Sequence, residues 1–273
     1  MVSTSFDLIQ RNEKEADSCK SFYYKNSCAV NPIIEKYLTW RPKADFMDVY
    51  CSLKLNPKSN KTILITGNSF VYFQIYGILE AIKKSKTQFL EVFVVEHPQC
   101  NILVGYLNDL YRECSGIEKS HDRLFEQLKP DVIIHSARMD LYVTSAVSPK
   151  ISFKDDEYYY EIKRQILHIA SFTRRLIIIE PHPPFTSSTQ HYGIPAKEFH
   201  RKHNPSWNRV KEAVKHCKNC VIVQTQNIMC PNGICPMVDP ITRLSLFCDK
   251  SHVTPRQSLK FVLGIIKALN GIT

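Results

Sequence analysis

From residue 61 onward, short apolar runs alternate with longer stretches whose apolar residues recur at helical spacing. The apolar runs are rich in β-branched residues and read "KTILITG", "FLEVFVVEH", "DVIIHSA", "RLIIIEPH" and "CVIVQTQ". Runs of this length and composition are typical of buried strands. The stretches between them have the period of amphipathic helices, as in Phe70, Phe73, Ile78 and Ile82. The pattern predicts five strands that alternate with helices.

This alternation predicts an α/β fold. Apolar strands separated by helices call for a parallel sheet that is covered on both faces. Because crossover connections are right-handed, the favoured arrangement is a three-layer α/β/α sandwich around a five-stranded parallel sheet, as in flavodoxin-like folds. Residues 1–60 are polar, contain three cysteines and lack sustained periodicity. We therefore expect an irregular, cysteine-containing N-terminal extension over 1–60 and one α/β domain over 61–273.

Ligand sites of such sheets lie beyond the carboxyl ends of the strands. Ser69 falls at that edge, where it follows the first predicted strand and begins a helix, so the helix dipole would favour a developing oxyanion beside it. Serine is also a common helix N-cap, and on this segment alone the cap is the favoured interpretation. Gly67 and Asn68 favour the nucleophile, because both tolerate the tight backbone that an exposed nucleophile needs.

A second candidate lies in "SLFCDKSHVTPRQS", just before the last predicted helix. Asp249 and His252 are three residues apart, so the carboxylate can accept a hydrogen bond from one imidazole nitrogen while the other nitrogen faces outward. This is the orienting half of a Ser-His-Asp triad. A lone D-x-x-H is a weak signal, but the loops after the first and fifth strands lie at the same edge of the predicted sheet. The topology therefore predicts that these residues approach Ser69.

Charge gives no evidence of a nucleic-acid partner. The net charge of +10 comes from scattered basic pairs rather than a run or stripe, so we expect a solvated surface and no nucleic-acid partner.

The cysteine content bears on the cellular compartment. Ten cysteines indicate an oxidising compartment, and "NKT" at Asn60 is a glycosylation acceptor sequence. The chain has neither an apolar signal segment nor a stretch long enough to span a membrane. We expect an extracellular or lumenal part of a longer, membrane-anchored protein, or a sequence that lacks its start.

The spacing of four cysteines allows two interpretations. Cys217, Cys220, Cys230 and Cys235 form C-x2-C-x9-C-x4-C, which resembles a zinc site. The two pairs flank a predicted strand, however, whose ends are roughly 20 Å apart, too far for one ion. A Cys230–Cys235 disulfide is the favoured interpretation, and the partner of Cys248 stays open.

The remaining motifs do not indicate a cofactor. His97, His135 and His182 each follow a predicted strand, and without acidic partners at ligand spacing they are interpreted as loop histidines rather than metal ligands. The sequence contains neither G-x-G-x-x-G nor a P-loop. We therefore expect no cofactor and no metal.

Three segments resemble blocks of the SGNH (GDSL-like) hydrolases. "ITGNSF" resembles the nucleophile block, with Asn68 where many members have Asp, and "CDKSHVT" resembles the final Asp-x-x-His block. "IMCPNGICPMVDPITRLSLFCDKSHVT" and "PDVIIHSARMD" resemble the SGNH domain found C-terminal to membrane O-acyltransferases of the acyltransferase-3 family, animal and particularly nematode members included. The resemblance covers roughly residues 45–270 in block order. It implies an SGNH-like fold and a membrane acyltransferase domain as partner.

The resemblance also implies roles for individual residues. Ser69 corresponds to the nucleophile, His252 to the general base and Asp249 to the residue that orients it. Candidates for oxyanion or substrate contacts are Asn68, Gly105, Ser136 and Arg138. The asparagine that secreted members place after the third strand is absent, and His135 to Arg138 stand there instead.

Three functions follow as hypotheses. The favoured one is transfer or hydrolysis of O-acyl esters through an acyl-serine intermediate, with an acyl donor and a hydroxyl acceptor such as a carbohydrate or lipid. The main alternative is a catalytically inactive module that serves as a binding or docking domain. A zinc-dependent binding protein ranks third, and it would require stoichiometric zinc.

Overall fold

The structure is a computed structural model that describes residues 5–20, 27–39, 41, 49–104, 114, 116–139, 152–183, 194–195 and 206–270. Its strands, in chain order, are β1 (Val49–Lys54), β2 (Thr62–Gly67), β3 (Glu91–Glu96), β4 (Val132–Ser136), β5 (Arg175–Ile179), β6 (Ile194–Pro195), β7 (Cys220–Val223) and β8 (Ile234–Cys235). Six of them form the central sheet in the order β1-β3-β2-β4-β5-β7, and β6 pairs with β8. The predicted three-layer α/β fold is confirmed.

The sheet has one strand more than the sequence predicts. Strands β3, β2, β4, β5 and β7 pair in parallel, as expected, whereas β1 lies antiparallel to β3 at the edge. The expectation of an irregular segment up to residue 60 is therefore wrong for Val49–Lys54, and also for the helices over Ser5–Asp17 and Pro32–Tyr37. This strand is short, and the Cys28–Cys51 disulfide and a bridge between Ala29 and Ser52 attach it to the preceding chain. The division of the chain at residue 60 stays a prediction.

Helices cover both faces of the sheet. They are α1 (Ser5–Asp17), α2 (Pro32–Tyr37), α3 (Ser69–Lys84), α4 (Ile117–Leu128), α5 (Glu157–Ser171), α6 (206–214), α7 (Gln226–Met229), α8 (Pro255–Ser258) and α9 (Val262–Leu269). The last predicted helix is thus divided, with a 3-10 turn over Leu259–Phe261 between α8 and α9. The described residues include no helix with enough apolar length to cross a bilayer.

Two apolar cores follow from the alternation of side chains along the strands. Ile63 and Ile65 of β2 pack in the core beneath α3 and α9, whereas Leu64 between them packs in the core beneath α2, α4, α5 and α6. All three residues are fully buried. The central strands are therefore apolar on both faces, which explains their continuous hydrophobic runs.

Three buried histidines form a polar cluster at the carboxyl end of the sheet. His135 belongs to β4 rather than to a loop, and its Nε2 lies 3.0 Å from Asn101 Oδ1. His121 Nδ1 donates to the carbonyl of Ile117 at 3.0 Å, so its Nε2 accepts from the hydroxyl of Thr66. The rings of His97 and His121 meet edge to face, with centroids 5.0 Å apart. These histidines occupy the core and are almost completely shielded from water.

Burial lowers the pKa of these histidines. Burial lowers the pKa of His121 to about 4, against the opposing effect of the Ile117 carbonyl. Burial and the neighbouring His121 lower the pKa of His135 to about 3. Both side chains are therefore neutral in the folded protein at neutral pH.

We expect acid to destabilise the fold through this cluster. Below about pH 6.5 the unfolded chain binds protons that folded His121 and His135 do not, so the free energy of unfolding falls as the pH is lowered toward 5. Urea midpoints at a series of pH values between about 7 and 5 measure this. His121→Gln should make the free energy of unfolding depend less steeply on pH, by the amount that corresponds to about one proton. An unchanged slope in this variant would contradict the assignment.

The joint between β2 and α3 generates a second prediction. Gly67 has a φ of 152°, and a Cβ at this position would lie 1.8 Å from the carbonyl oxygen of Ser136. Gly67→Ala should therefore lower the free energy of unfolding by about 3 kcal/mol or more, from clash and backbone strain together. Denaturant titration gives the value.

Gly233→Ala is the matched control. Gly233 also has a positive φ, of 78°, but no described atom lies within 4 Å of the position of its Cβ. Only backbone strain applies there, so the expected loss is about 1 kcal/mol. Equal losses at the two glycines would show that close contact with Ser136 is unimportant.

Candidate active site

The carboxyl edge of β2 positions Ser69 as the first residue of α3. Gly67 pairs with Ser136 of β4, and the N–H of Asn68 donates to the Ser136 carbonyl at 3.3 Å. The chain therefore turns from strand to helix without a connecting loop. Since the first N–H groups of a helix have no partner within it, the N–H of Ser69 lies at the positive end of α3.

Asn68, not Ser69, is the N-cap of α3. Its Oδ1 accepts from the N–H of Phe70 at 3.3 Å and from the N–H of Arg138 at 3.0 Å. Its Nδ2 donates to the carbonyl of Arg138 at 3.4 Å. The side chain is almost completely buried. The capping role considered for Ser69 thus falls to its neighbour, and the Ser69 hydroxyl is left for another contact.

That contact is with His252. The Nε2 of His252 lies 2.8 Å from Ser69 Oγ, and its Nδ1 lies 2.7 Å from Asp249 Oδ2. Asp249 Oδ1 accepts from the backbone N–H groups of Ser251, at 2.6 Å, and His252, at 2.9 Å. The structure therefore brings the three predicted residues together in one line of hydrogen bonds, although 183 positions separate Ser69 from His252 in the sequence.

The environment of Asp249 favours its charged form. Partial burial raises the pKa of the carboxyl group, but the hydrogen bond and charge of His252, together with the two backbone N–H groups, outweigh burial and lower the pKa below its usual value. A carboxylate accepts but does not donate, so Nδ1 of His252 bears the proton. Nε2 is then free to accept from Ser69.

Aromatic residues of α3 hold the imidazole ring of His252. Phe73 stacks on the ring with centroids 4.1 Å apart, and Phe70 meets it edge to face at 6.0 Å. Only 15% of the His252 side chain is exposed, compared with 51% of the Asp249 side chain. The ring is thus confined between α3 and the loop that bears it, while the carboxylate faces solvent.

The remaining site candidates have different surroundings. Ser136 is buried, and its hydroxyl donates to Gln74 Oε1 at 2.8 Å. Arg138 is half-buried, and its Nη1 donates to Ser251 Oγ at 2.9 Å. Gly105 lies outside the described residues. Of these candidates, Arg138 alone reaches the loop of Asp249 and His252 through its side chain in the described contacts.

Disulfides account for all ten cysteines. Cys217 pairs with Cys220 and Cys230 with Cys235, so the thiolates needed for the tetrahedral zinc interpretation are not available. Cys248, next to Asp249, pairs with Cys19 after the end of α1. The last two pairs are Cys28–Cys51 and Cys100–Cys114. Such a density of disulfides fits an extracellular or lumenal domain.

Sequence analysis assigns no site role to three residues near the site, of which Gln74 and Ser251 are not singled out and His182 is interpreted only as a loop histidine. Gln74 is a fully buried polar residue within α3, His182 lies between two prolines after β5, and Ser251 lies inside the D-x-x-H segment. A polar residue on an otherwise apolar helix was the available signal for Gln74. Their mutual contacts, however, depend on packing that no local pattern describes.

Solved structures similar to this chain include one acetyltransferase domain and two esterases. The periplasmic domain of a lipopolysaccharide acetyltransferase from Salmonella ser. Paratyphi A superposes with a TM-score of 0.55 and 12% identity over 98% of each chain. An acetylxylan esterase from Geobacillus stearothermophilus gives 0.49 and 14%, over 79% of this chain and 97% of the esterase. A carbohydrate esterase of family 2 from Corynascus thermopiles gives 0.48 and 13%, over 81% of this chain and 68% of the enzyme. At 12% identity, the likeness to the acetyltransferase domain demonstrates a shared fold.

Sequence comparison identifies the family. Comparison with curated proteins finds no match. Residues 37–261 match the family described as "SGNH domain (fused to AT3 domains)", which is most of the chain. The resemblance expected from the sequence is therefore confirmed, and it supports acyltransferase or serine-esterase activity. The chain belongs to the family of SGNH domains that are fused to AT3 domains.

Proposed function

We propose that this domain transfers or hydrolyses O-acyl esters through an acyl-enzyme intermediate on Ser69. The observation that carries the proposal is the line of hydrogen bonds from Asp249 through His252 to Ser69, at 2.7 and 2.8 Å. Both distances lie in the range for a nucleophile, its base and the group that orients the base. In this proposal Asp249 fixes the tautomer of His252 and stabilises the imidazolium that forms during the reaction.

The reaction begins with the Ser69 hydroxyl. Its oxygen bonds to the acyl carbon while its proton passes to Nε2 of His252, and the resulting tetrahedral intermediate expels the alcohol, which departs with that proton. In the second half, a hydroxyl acceptor or water gives its proton to Nε2 and bonds to the acyl carbon. The bond from Ser69 Oγ then breaks, and Nε2 returns the proton to Oγ.

The oxyanion of each intermediate needs donors at the helix terminus. The N–H of Ser69 is one, because it lies at the positive end of α3. The guanidinium of Arg138 is a second candidate, since it reaches Ser251 beside the reacting groups. The contacts of Asn68 and Ser136 support structural roles for both, in the cap of α3 and beside Gln74 respectively. Gly105 remains a candidate from the family resemblance alone.

Family membership supports a proposal in which a membrane domain and this domain carry out successive steps of acyl transfer. In this proposal an AT3 acyltransferase domain delivers the acyl group across the membrane, and the SGNH domain passes it to a hydroxyl acceptor on the extracellular or lumenal side. The structural neighbour named for lipopolysaccharide acetylation makes a carbohydrate the first acceptor to test. Lipid hydroxyls come second.

The proposal predicts a reactive serine. A fluorophosphonate probe should label Ser69 of the oxidised domain, as located by peptide mass spectrometry. Ser69→Ala should abolish this label, and His252→Ala should slow labelling about a hundredfold or more because the general base is lost. Ser171→Ala, at an exposed serine at the end of α5, should label at the normal rate. A folded domain that stays unlabelled would instead favour the inactive binding module.

The disulfide beside the site generates a further prediction. Cys19–Cys248 joins the chain just after α1 to the residue that precedes Asp249, so its removal should loosen the loop that bears Asp249 and His252. Replacing both cysteines by serine should slow labelling of Ser69 about tenfold, because small displacements of catalytic groups are costly.

The matched control is the double serine variant at Cys217 and Cys220. This pair joins the chain after α6 to the start of β7, away from the loop of Asp249. Both variants should remain folded by circular dichroism, but only the first should lose reactivity. Equal labelling rates would mean that the disulfide at Cys248 has no influence on the reacting groups.

A further inference from the structure

A buried line of hydrogen bonds connects the end of β4 to the loop that bears Asp249 and His252. It begins at Ser136, whose hydroxyl donates to Gln74 Oε1 at 2.8 Å. Gln74 Nε2 lies 2.9 Å from Nδ1 of His182, and Nε2 of His182 lies 2.8 Å from the carbonyl oxygen of Ser251. The side chains of Ser136, Gln74 and His182 are fully buried. None of these groups takes part in the proposed reaction.

The chemistry of the acceptor determines the protonation of His182. A carbonyl oxygen only accepts, so Nε2 of His182 must bear a proton and donate it to Ser251. In this orientation of the Gln74 amide, Nδ1 then accepts from Gln74 Nε2, and His182 is neutral. Both ring nitrogens are thereby satisfied, as a buried imidazole requires.

The chain holds the ring of His182 in a fixed position. Pro181 and Pro183 flank it, so both neighbouring φ angles are fixed and the backbone of His182 is biased toward an extended conformation. Phe70 of α3 stacks on the ring with centroids 4.0 Å apart, and the planes differ by 17°. The same Phe70 touches the ring of His252 with its edge. One aromatic side chain thus lies against both histidines.

Ser251 is the point at which this line meets the proposed reacting groups. Its N–H donates to Asp249 Oδ1 at 2.6 Å, its carbonyl accepts from His182, and its hydroxyl accepts from Arg138 at 2.9 Å. Ser251 also directly precedes His252 in the chain. A displacement of its carbonyl would therefore move both the carboxylate and the imidazole relative to Ser69.

We propose that His182 is a positioning residue, which holds the Ser251 carbonyl so that Asp249 and His252 keep the geometry that Ser69 needs. The proposal rests on the function proposed above. The hydrogen bond from His182 Nε2 to the Ser251 carbonyl is the contact through which His182 acts on the loop. Its neutral ring is suited to this task, because it accepts from Gln74 on one side and donates to Ser251 on the other.

Two conservative variants separate the two contacts of His182. In His182→Gln, the side-chain amide nitrogen lies near the former position of Nε2 and can still donate to Ser251. In His182→Asn, the amide oxygen lies near the former position of Nδ1 and can still accept from Gln74, but the contact with Ser251 is lost. Both variants lose the aromatic stack on Phe70, so this loss cancels in the comparison.

The experiment measures fluorophosphonate labelling of Ser69 and hydrolysis of p-nitrophenyl acetate by the intact chain, for the wild type and both variants. His182→Asn should reduce the labelling rate and kcat about tenfold to a hundredfold with little change in KM, because the substrate contacts are unaffected. His182→Gln should stay within about threefold of the wild type. Urea midpoints should fall by similar amounts in both variants, which separates positioning from global stability.

Amide hydrogen exchange of a peptide that covers residues 248–253 reports on the loop independently of activity. This peptide should exchange faster in His182→Asn than in His182→Gln. The proposal would be overturned if the two variants had the same labelling rate, kcat, KM and amide hydrogen exchange. It would also be overturned if the losses of activity were proportional to the decreases in urea midpoint. If the wild type itself fails to react with either probe, the proposed function fails, and the exchange comparison alone then decides whether His182 positions the loop.

Discussion

The close contact between the end of β2 and the end of β4 is the constraint on which the rest of this site depends. The backbone of Gly67 lies so near the Ser136 carbonyl that no side chain fits between them. Because of this contact, α3 begins immediately at the sheet edge, and Asn68 can bind both the first turn of α3 and the backbone of Arg138. The cap is supplied by residue 68, and the hydroxyl of residue 69 remains available for chemistry.

The loop that bears Asp249 and His252 has little regular structure of its own, so distant parts of the chain hold it. Cys19 fixes it from the N-terminal side, Arg138 reaches it from the end of β4, and His182 reaches it from the end of β5. Each tether connects residues far apart in sequence. This matters for the proposed reaction, because reacting groups must be held within a fraction of an ångström while the loop remains at the surface.

Buried polar groups occur on both sides of the sheet, with different consequences. Beneath α3, Gln74 and His182 form a line that ends at the loop of Asp249. On the α4 side, His121 and His135 lie in a core that keeps them neutral and lowers their pKa values. The first group links the sheet to the site, whereas the second is expected to make the stability of the fold sensitive to acid.

Local patterns in the sequence were sufficient to predict the five parallel strands and the helices between them, the position of Ser69 and the D-x-x-H segment, because each depends on side-chain period or on residues a few positions apart. The density of cysteines likewise indicated an oxidising compartment. Only the tertiary structure decided the antiparallel edge strand Val49–Lys54, the pairing of Cys19 with Cys248 and the contacts of Gln74, His182 and Ser251. The physical reason is the same in each case. These features join residues that are remote in sequence, and their partners are selected by the packing of the whole chain rather than by any local preference.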